Sequence, residues 1–133
     1  MTDMYVGIFI IFFVSIASYA IFTVVKYSIK KKLPKSRKVY LNRLLKTISK
    51  KESSKEKIID YDKLYHKILV ELGYNGTFGD ILKLEPNEIG NINKVWELHK
   101  LRNKLVHDFD LIDEIFLKRK EEEYYRELFF ILK

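Results

Sequence analysis

The chain has 133 residues, a formal net charge of +7 and no cysteine. A chain of this length holds one small domain with an appended segment. The lack of cysteine excludes disulfides, thiolate zinc sites, iron–sulfur clusters and a cysteine nucleophile. Small domains often gain stability by self-association, so we expect a homodimer.

The first element is an apolar run over Tyr5–Val25, which contains no charged side chain. A helix of about 20 apolar residues crosses a hydrocarbon core of about 30 Å. A cleaved signal peptide is the main alternative. It is disfavoured because no Lys or Arg precedes the run, the run is long, and dense positive charge follows it. A buried core helix of this length would rarely lack a charge. The sequence therefore predicts a transmembrane helix.

The orientation of this helix follows from the distribution of basic residues. Positive residues remain on the cytoplasmic side of a span. The sequence therefore predicts a single-pass cell-membrane protein with a short extracytoplasmic N-terminus at 1–4, a span at 5–25 and a cytoplasmic C-terminal part. The residues assigned to the membrane surface, and so to anionic lipid headgroups, are Lys26, Lys30, Lys31, Lys32, Lys35, Arg37 and Lys38.

Residues 26–57 are strongly basic, with 13 Lys or Arg against Glu52 and Glu56. Residues 49–57 contain no apolar side chain and predict a linker. We interpret 26–57 as a basic juxtamembrane stalk, so the soluble domain should begin near Ile58. Within the stalk, apolar residues recur at helical spacing. Three interpretations of this stretch remain open: a helix lying on anionic lipid, an RNA-attracting patch, or a solvated stalk. The first is favoured beside a span. The apolar residues are Val39, Leu41, Leu44, Leu45 and Ile48.

Residues 58–133 predict a small all-α domain that resembles a four-helix bundle. Apolar residues follow a helical period from Ile58 to Leu72, and no segment alternates like a strand. A short helix, a helix ending near His107 and a final helix from about Leu111 follow. The expected caps and stops are Gly73, Thr77 or Asp80, Pro86, and Asn91 or Asn93.

One charged residue falls on the apolar face of the helix that ends near His107. Arg102 shares this face with Val95, Leu98 and Leu105 on a helical wheel. A charged guanidinium at such a position is costly unless it is paired or faces a wet cleft. Arg102 is therefore the residue of this helix that most needs an explanation.

Residues 102–107 read R-N-K-L-V-H and resemble the R-N-x-x-x-H signature of the HEPN superfamily. That superfamily consists of short helical bundles found in ribonuclease toxins and defence proteins. The longer string at 102–113 is similar to the HepT-type toxins, in which a Tyr stands at the place of Phe109. The partner antitoxin modifies that Tyr, so the resemblance implies that this regulation is absent here. It implies a HEPN-like domain over 58–133.

The resemblance implies a metal-independent endoribonuclease with no cofactor and a composite site in a two-fold dimer. His107 would take the 2′-OH proton as a general base. Arg102 would stabilise charge on the phosphate through its bidentate fork. Asn103 would orient the site or contact the phosphate. Supporting or cleft-lining positions are assigned to His99, Asp108 and Asp110, with His99 alternatively a hydrogen-bonded core residue.

A non-catalytic function explains the same residues without chemistry. Basic side chains near a helix C-terminus complement the macrodipole, and Arg102 has the nearby acids Asp108, Asp110 and Asp113 as possible partners. The domain would then be a dimerisation or protein- or RNA-interaction module on a membrane tether. The net charge of −3 over 58–133 favours this alternative, because RNA binders are usually basic. The residues predicted either for the core or for a partner surface on the last helix are Tyr124, Tyr125, Leu128, Phe129, Phe130 and Leu132.

Overall fold

The computed structural model describes residues 2–28, 31–107 and 112–133, and these residues form six α-helices and no strand. The prediction of an all-helical chain is confirmed for this part of the molecule. The chain divides into two compact units, Met1–Lys30 and Lys31–Lys133.

The first unit is the helix α1, which covers Thr2–Ser28. Its stretch Tyr5–Val25 has a mean hydropathy of 2.6, so it is long and apolar enough to cross a membrane. A signal sequence satisfies the same criterion of length and composition. The hydroxyl of Ser15 donates to the carbonyl of Ile11 one turn earlier. The helix therefore satisfies this polar group internally, as a hydrocarbon environment requires.

The second unit contains four longer helices and one short helix. The central helix is α3, which packs against α2, α5 and α6, while the short α4 packs against α5. The result is a helical bundle with one shared core. The helices are α2 (Lys35–Ser49), α3 (Ser54–Glu71), α4 (Phe78–Lys83), α5 (Ile92–His107) and α6 (Glu114–Leu132).

Side-chain caps fix where the helices begin. The hydroxyl of Thr77 accepts the backbone N–H of Asp80, and the amide oxygen of Asn91 accepts that of Lys94, which confirms the expected starts of α4 and α5. The carboxylate of Asp113 accepts the N–H of Phe116. Because this cap sets the start of α6, the last helix begins at Glu114, three residues after the expected position.

Gly73 ends α3 as expected. Its φ of +96° lies in the left-handed region that favours glycine. The N–H of Tyr74 donates to the carbonyl of Leu69, and that of Gly73 donates to the carbonyl of Val70. This pair of bonds is the Schellman arrangement, which satisfies the last carbonyls of the helix and turns the chain toward α4.

The core of the bundle is aliphatic and aromatic. Three tyrosines, Tyr61, Tyr65 and Tyr124, are almost completely buried, and the Tyr124 ring lies 6.2 Å from that of Tyr61 and 6.3 Å from that of Tyr65. Such large rings fill the space between α3 and α6.

The helix α2 belongs to this core, which differs from the expected stalk at 26–57. Leu41 and Leu45 are 0% and 2% exposed, and α2 packs against both α3 and α6. Most of the apolar face that the sequence analysis assigned to lipid is therefore covered by protein, although Val39 remains 46% exposed. The compact unit starts at Lys31 rather than near Ile58.

The aromatic C-terminal helix divides into two faces. Tyr124, Leu128 and Leu132 are at most 2% exposed and belong to the core, so they form no partner surface. Phe129 and Phe130 remain about half exposed, at 54% and 52%. The predicted partner surface is thus reduced to the outward side of α6.

Candidate functional site

Polar side chains from three helices meet inside the bundle. Asp62 comes from α3, Tyr124 from α6, and His99, Arg102 and Asn103 from α5. We call these five residues the Arg102 network. Each lies on the inward side of its helix or next to it, so the packing of α3 against α5 and α6 brings them together.

The α5 residues and Asp62 form a closed ring of contacts. One carboxylate oxygen of Asp62 lies 2.8 Å from Nδ1 of His99, and the other lies 3.5 Å from Nε of Arg102. Nη1 of Arg102 donates to Oδ1 of Asn103 at 2.9 Å. Nδ2 of Asn103 lies 3.4 Å from Nε2 of His99 and closes the ring.

These contacts assign the protonation of His99. A carboxylate accepts hydrogen bonds and does not donate them, so Nδ1 of His99 carries the proton toward Asp62. The amide oxygen of Asn103 accepts from Arg102, so its nitrogen points at Nε2 of His99, which then acts as an acceptor. The hydrogen-bond pattern therefore assigns Nδ1 as the nitrogen of His99 that donates to Asp62.

Tyr124 adds a third helix to the network. Its hydroxyl donates to Asp62 at 2.8 Å, and both residues are buried. Burial first, and then the neighbouring carboxylate of Asp62, hold the pKa of Tyr124 well above its ordinary value. The phenol therefore stays protonated and remains a donor to Asp62.

Arg102 is only partly enclosed by this network. Its Nε is buried and has no hydrogen-bond partner in the described residues, although it faces Asp62. A quarter of its side chain is exposed. Nε is thus enclosed by protein, while part of the side chain reaches solvent.

His107 lies outside the network. It is exposed at the last position of α5 and has no hydrogen bond or ion pair within the described residues. It follows Asn103 by one turn, so the two residues share a face of the helix. Arg102 and His107 are five residues apart, which separates them by about 140° around the helix axis. The supporting residues Asp108 and Asp110 lie outside the described residues.

Two members of the network, Asp62 and Tyr124, were missed by the sequence interpretation. A signal for Asp62 existed, since it lies among the apolar positions Ile58, Tyr65 and Leu69 of α3. An acid on the apolar stripe of one helix and an arginine on that of another indicate a buried pair. Tyr124 gave no such signal, because its spacing also fits an ordinary core tyrosine.

Several residues assigned to the membrane surface have partners inside the second unit. Arg37 forms two hydrogen bonds with Glu71, and Lys38 donates to the carbonyl of Lys133. Nζ of Lys31 lies 3.7 Å from the centre of the Tyr74 ring. Lys32 and Lys35 are exposed, whereas Lys30 and the side chain of Lys26 lie outside the described part of the chain.

The remaining histidine, His66, serves a structural contact. Its Nε2 lies 3.0 Å from the carbonyl of Gly76, and its ring stacks on Phe78. Among the residues that the structure describes, no group of three or more His, Asp or Glu side chains is arranged to hold a metal ion.

No protein-family model, curated protein or solved structure matches the chain. The class that fold and site define is a small helical bundle, preceded by an apolar helix, with a buried polar network that holds a partly exposed arginine. Its function has to be inferred from that geometry.

Proposed function

We propose that the chain is a membrane-anchored, metal-independent endoribonuclease of the HEPN type. The observation that carries the proposal is that Arg102 is held by neighbouring side chains and is still partly exposed. Its Nε is buried beside Asp62, Nη1 donates to Asn103, and a quarter of the side chain remains open to solvent. A guanidinium held in this way is pre-oriented for a phosphate, which it binds through a planar fork.

His107 supplies the proton transfer in this proposal. Its exposed imidazole takes the proton of a ribose 2′-OH. The 2′ oxygen then attacks the adjacent phosphorus, the P–O5′ bond breaks, and a 2′,3′-cyclic phosphate forms. The 5′ oxygen leaves with a proton from a second acid, and Arg102 stabilises the charge on the phosphate oxygens.

A second copy of the chain provides that acid. One protomer offers a single His107 to the phosphate, and one imidazole does not act as both base and acid in the same turnover. A two-fold dimer places the same surface of both copies together. His107 of one copy then acts as base and His107 of the other as acid, beside either Arg102.

The charge of the folded unit supports a polyanionic substrate. Residues 1–30 contain Asp3, Lys26 and Lys30 as their charged side chains, a sum of +1, so residues 31–133 carry +6 of the total of +7. The value of −3 for 58–133 left out α2, which belongs to the bundle. The outward face of α2 presents Lys35, Arg43 and Lys46 to solvent, and such a basic stripe attracts an RNA backbone.

The membrane anchor is part of the proposal. Tyr5–Val25 spans the cell membrane with the N-terminus outside, and the basic residues that follow it keep the bundle in the cytoplasm. Since the chain contains no cysteine, single-cysteine variants at Thr2 and at Lys133 report this topology. A membrane-impermeant maleimide should label Thr2→Cys on intact cells. It should label Lys133→Cys only after the cells are lysed. Labelling of Lys133→Cys on intact cells would refute the orientation.

The catalytic proposal is tested with the full chain in neutral-detergent micelles. Labelled single-stranded RNA is incubated with wild type in EDTA, and the products are examined for a 2′,3′-cyclic phosphate. His107→Ala should reduce the rate by about 100-fold or more, the range for loss of a general base. His107 has no partner in the described residues, so its removal should leave the fold intact.

His66→Ala is the control, because it removes a partly exposed imidazole from another helix. It should cleave RNA at the wild-type rate. Arg102→Lys keeps the charge but loses the planar fork, and it should also be strongly impaired. A wild-type chain that cuts no RNA as a verified dimer would exclude the catalytic proposal.

A second candidate function is a non-catalytic dimerisation or interaction module on the same membrane tether. The observation in its favour is the closed ring, in which Asp62, His99, Arg102 and Asn103 contact one another. Stability alone can account for such a ring. This candidate predicts that neither wild type nor His107→Ala cleaves RNA. The substitution should then alter only the oligomeric state.

A further inference from the structure

A recess on the second unit shares no residue with the Arg102 network. Its volume is about 370 Å³. It combines the first residues of this unit with the turn before α5 and the end of α6, so it forms only in the folded bundle. The lining residues are Lys31, Lys32, Leu33, Lys38, Leu72, Glu88, Ile131 and Lys133. We call it the lysine recess.

The side chains that line the lysine recess carry four ammonium groups and one carboxylate. That carboxylate, Glu88, is 8% exposed and is already engaged. One of its oxygens accepts the backbone N–H of Lys31, and the other accepts the hydroxyl of Tyr74 at 2.8 Å. Because both oxygens are occupied, Glu88 fixes the wall of the recess, and the side chains around it leave an excess of positive charge.

Two of the four lysines are held in place and two are available. Nζ of Lys31 lies 3.7 Å from the centre of the Tyr74 ring, and Nζ of Lys38 donates to the carbonyl of Lys133. The side chains of Lys32 and Lys133 are exposed and make no hydrogen bond or ion pair within the described residues. Like charges gathered around one recess repel each other, and a bound anion relieves that repulsion.

The rest of the lining is apolar. Leu72 is 8% exposed, and Leu33 and Ile131 are partly buried against the core. A simple inorganic anion makes no favourable contact with such an apolar surface. A phosphate that carries an apolar substituent covers it and removes it from water.

We propose that the lysine recess binds a phosphate group that carries an apolar substituent. Lys32 and Lys133 contact the phosphate oxygens, Lys31 and Lys38 add to the positive field, and the leucine and isoleucine side chains contact the substituent. Two sources supply this chemistry, an anionic phospholipid headgroup and a soluble phosphate ester. The inference is independent of RNA cleavage.

The experiment uses native mass spectrometry on the full chain in neutral-detergent micelles. One arm adds phosphatidylglycerol, a second adds a diacylglycerol with the same acyl chains and no phosphate, and a third adds a soluble aryl phosphate. Wild type should retain one phosphate-bearing molecule and should not retain the diacylglycerol in its place. Retention of phosphatidylglycerol identifies a lipid as the source, and retention of the aryl phosphate with no lipid preference identifies a soluble ester.

The decisive variant is Lys32→Gln/Lys133→Gln, which removes the two available charges. Its affinity should fall by about thirtyfold, as expected for two lysines beside a phosphate. The matched control is Lys50→Gln/Lys55→Gln, which makes the same charge change on exposed lysines at the C-cap of α2 and in α3. The control should bind like wild type.

Circular dichroism of each double variant measures its helical content. The four substituted lysines are exposed, so the bundle should be intact in both variants. Equal losses of affinity in the two double variants would show that binding follows net charge and would overturn the proposal. Equal retention of diacylglycerol and phosphatidylglycerol would also overturn it, because the phosphate would then contribute nothing.

Discussion

Asp62 on α3 lies 2.8 Å from Nδ1 of His99 on α5, and this contact joins two helices through a carboxylate that is 3% exposed. The same carboxylate accepts the hydroxyl of Tyr124 from α6 and faces Arg102. A buried carboxylate is unfavourable unless partners surround it. Asp62 is therefore the residue on which the geometry of the Arg102 network depends.

Asp62→Asn should destabilise the bundle. The amide keeps the shape of the side chain but removes the negative charge that faces Arg102 and His99. Loss of one member of a buried charged contact costs about 2–4 kcal/mol. The free energy of unfolding is measured by urea titration of the full chain in micelles, with the fluorescence of Trp96, the only tryptophan, as the probe.

Asp60→Asn is the control for this measurement. Asp60 lies on the same helix, and its carboxylate pairs with Lys51 and Lys63 at the surface. Surface pairs contribute about 0–1 kcal/mol, so this variant should remain close to wild type. If both variants unfold at the same urea concentration, Asp62 has no special role in the network.

Two buried tyrosines should respond oppositely to loss of the hydroxyl. The hydroxyl of Tyr65 is buried without a hydrogen-bond partner in the described residues, whereas that of Tyr124 donates to Asp62. Tyr65→Phe should therefore leave stability unchanged or increase it. Tyr124→Phe should cost about 1–3 kcal/mol, because a buried carboxylate loses a donor.

The melting temperature of each phenylalanine variant checks this pair, and the two act as controls for each other since both rings stay in the core. A large loss of stability in Tyr65→Phe would mean that its hydroxyl has a partner, such as a buried water. The pKa of Tyr65 is raised, first by burial and then by the charge of Glu127, so its hydroxyl is neutral in this comparison.

The helices were predictable from the sequence because their signals are local. The caps at Thr77 and Asn91 and the stop at Gly73 depend on residues within one turn, and the structure places all three as expected. The start of α6 was displaced because its cap is Asp113, whereas the sequence allowed the helix to begin two residues before this cap, at about Leu111.

The role of α2 was not predictable in the same way. Its apolar stripe, with Leu41 and Leu45, fits a lipid surface and a protein core equally well, since both bury apolar area. The choice depends on contacts with α3 and α6, which lie far along the chain. The polar segment 49–57 suggested a domain boundary. Two of its residues, Ser54 and Lys57, are instead buried and form hydrogen bonds with Glu121.

The candidate site was predictable only in part for a related reason. Arg102 attracted notice because it interrupts an apolar stripe, but its partner was sought among the acids that follow it in sequence. The partner in the described residues is Asp62, 40 positions earlier. Pairing between distant helices requires a tertiary arrangement, which residue spacing within one helix does not contain.

The two glutamates at positions 121 and 127 of α6 should respond oppositely to conversion to glutamine. Burial alone would raise the pKa of Glu121, but hydrogen bonds from Lys57 at 2.9 Å and from Ser54 outweigh it, and the pKa is lowered from the ordinary 4.5. Burial raises the pKa of Glu127, and the charges of Lys94 and Arg126 only partly oppose it.

The signs follow from linkage. Because the folded-state pKa of Glu121 is lowered, its stabilisation is complete above the unfolded value and is lost as pH falls through the folded value. Glu121→Gln should therefore cost about 2–4 kcal/mol at pH 7, since Lys57 is left buried without its partner, and the difference from wild type should shrink below pH 4.5. For Glu127 the folded pKa is raised, so ionisation opposes folding as pH rises through that value.

Glu127→Gln should accordingly raise the melting temperature at pH 7, and this gain should vanish in acid, where the carboxyl of wild type is protonated. Melting curves of wild type and both variants between pH 3.5 and 7.5 provide the measurement, with each variant serving as the opposite-sign control for the other. Destabilisation by Glu127→Gln at pH 7 would contradict the raised pKa and would mean that the ionised carboxylate has a favourable partner. A pH-independent loss in Glu121→Gln would instead mean that Glu121 stabilises α6 by packing, and that its charge contributes little to the contact with Lys57.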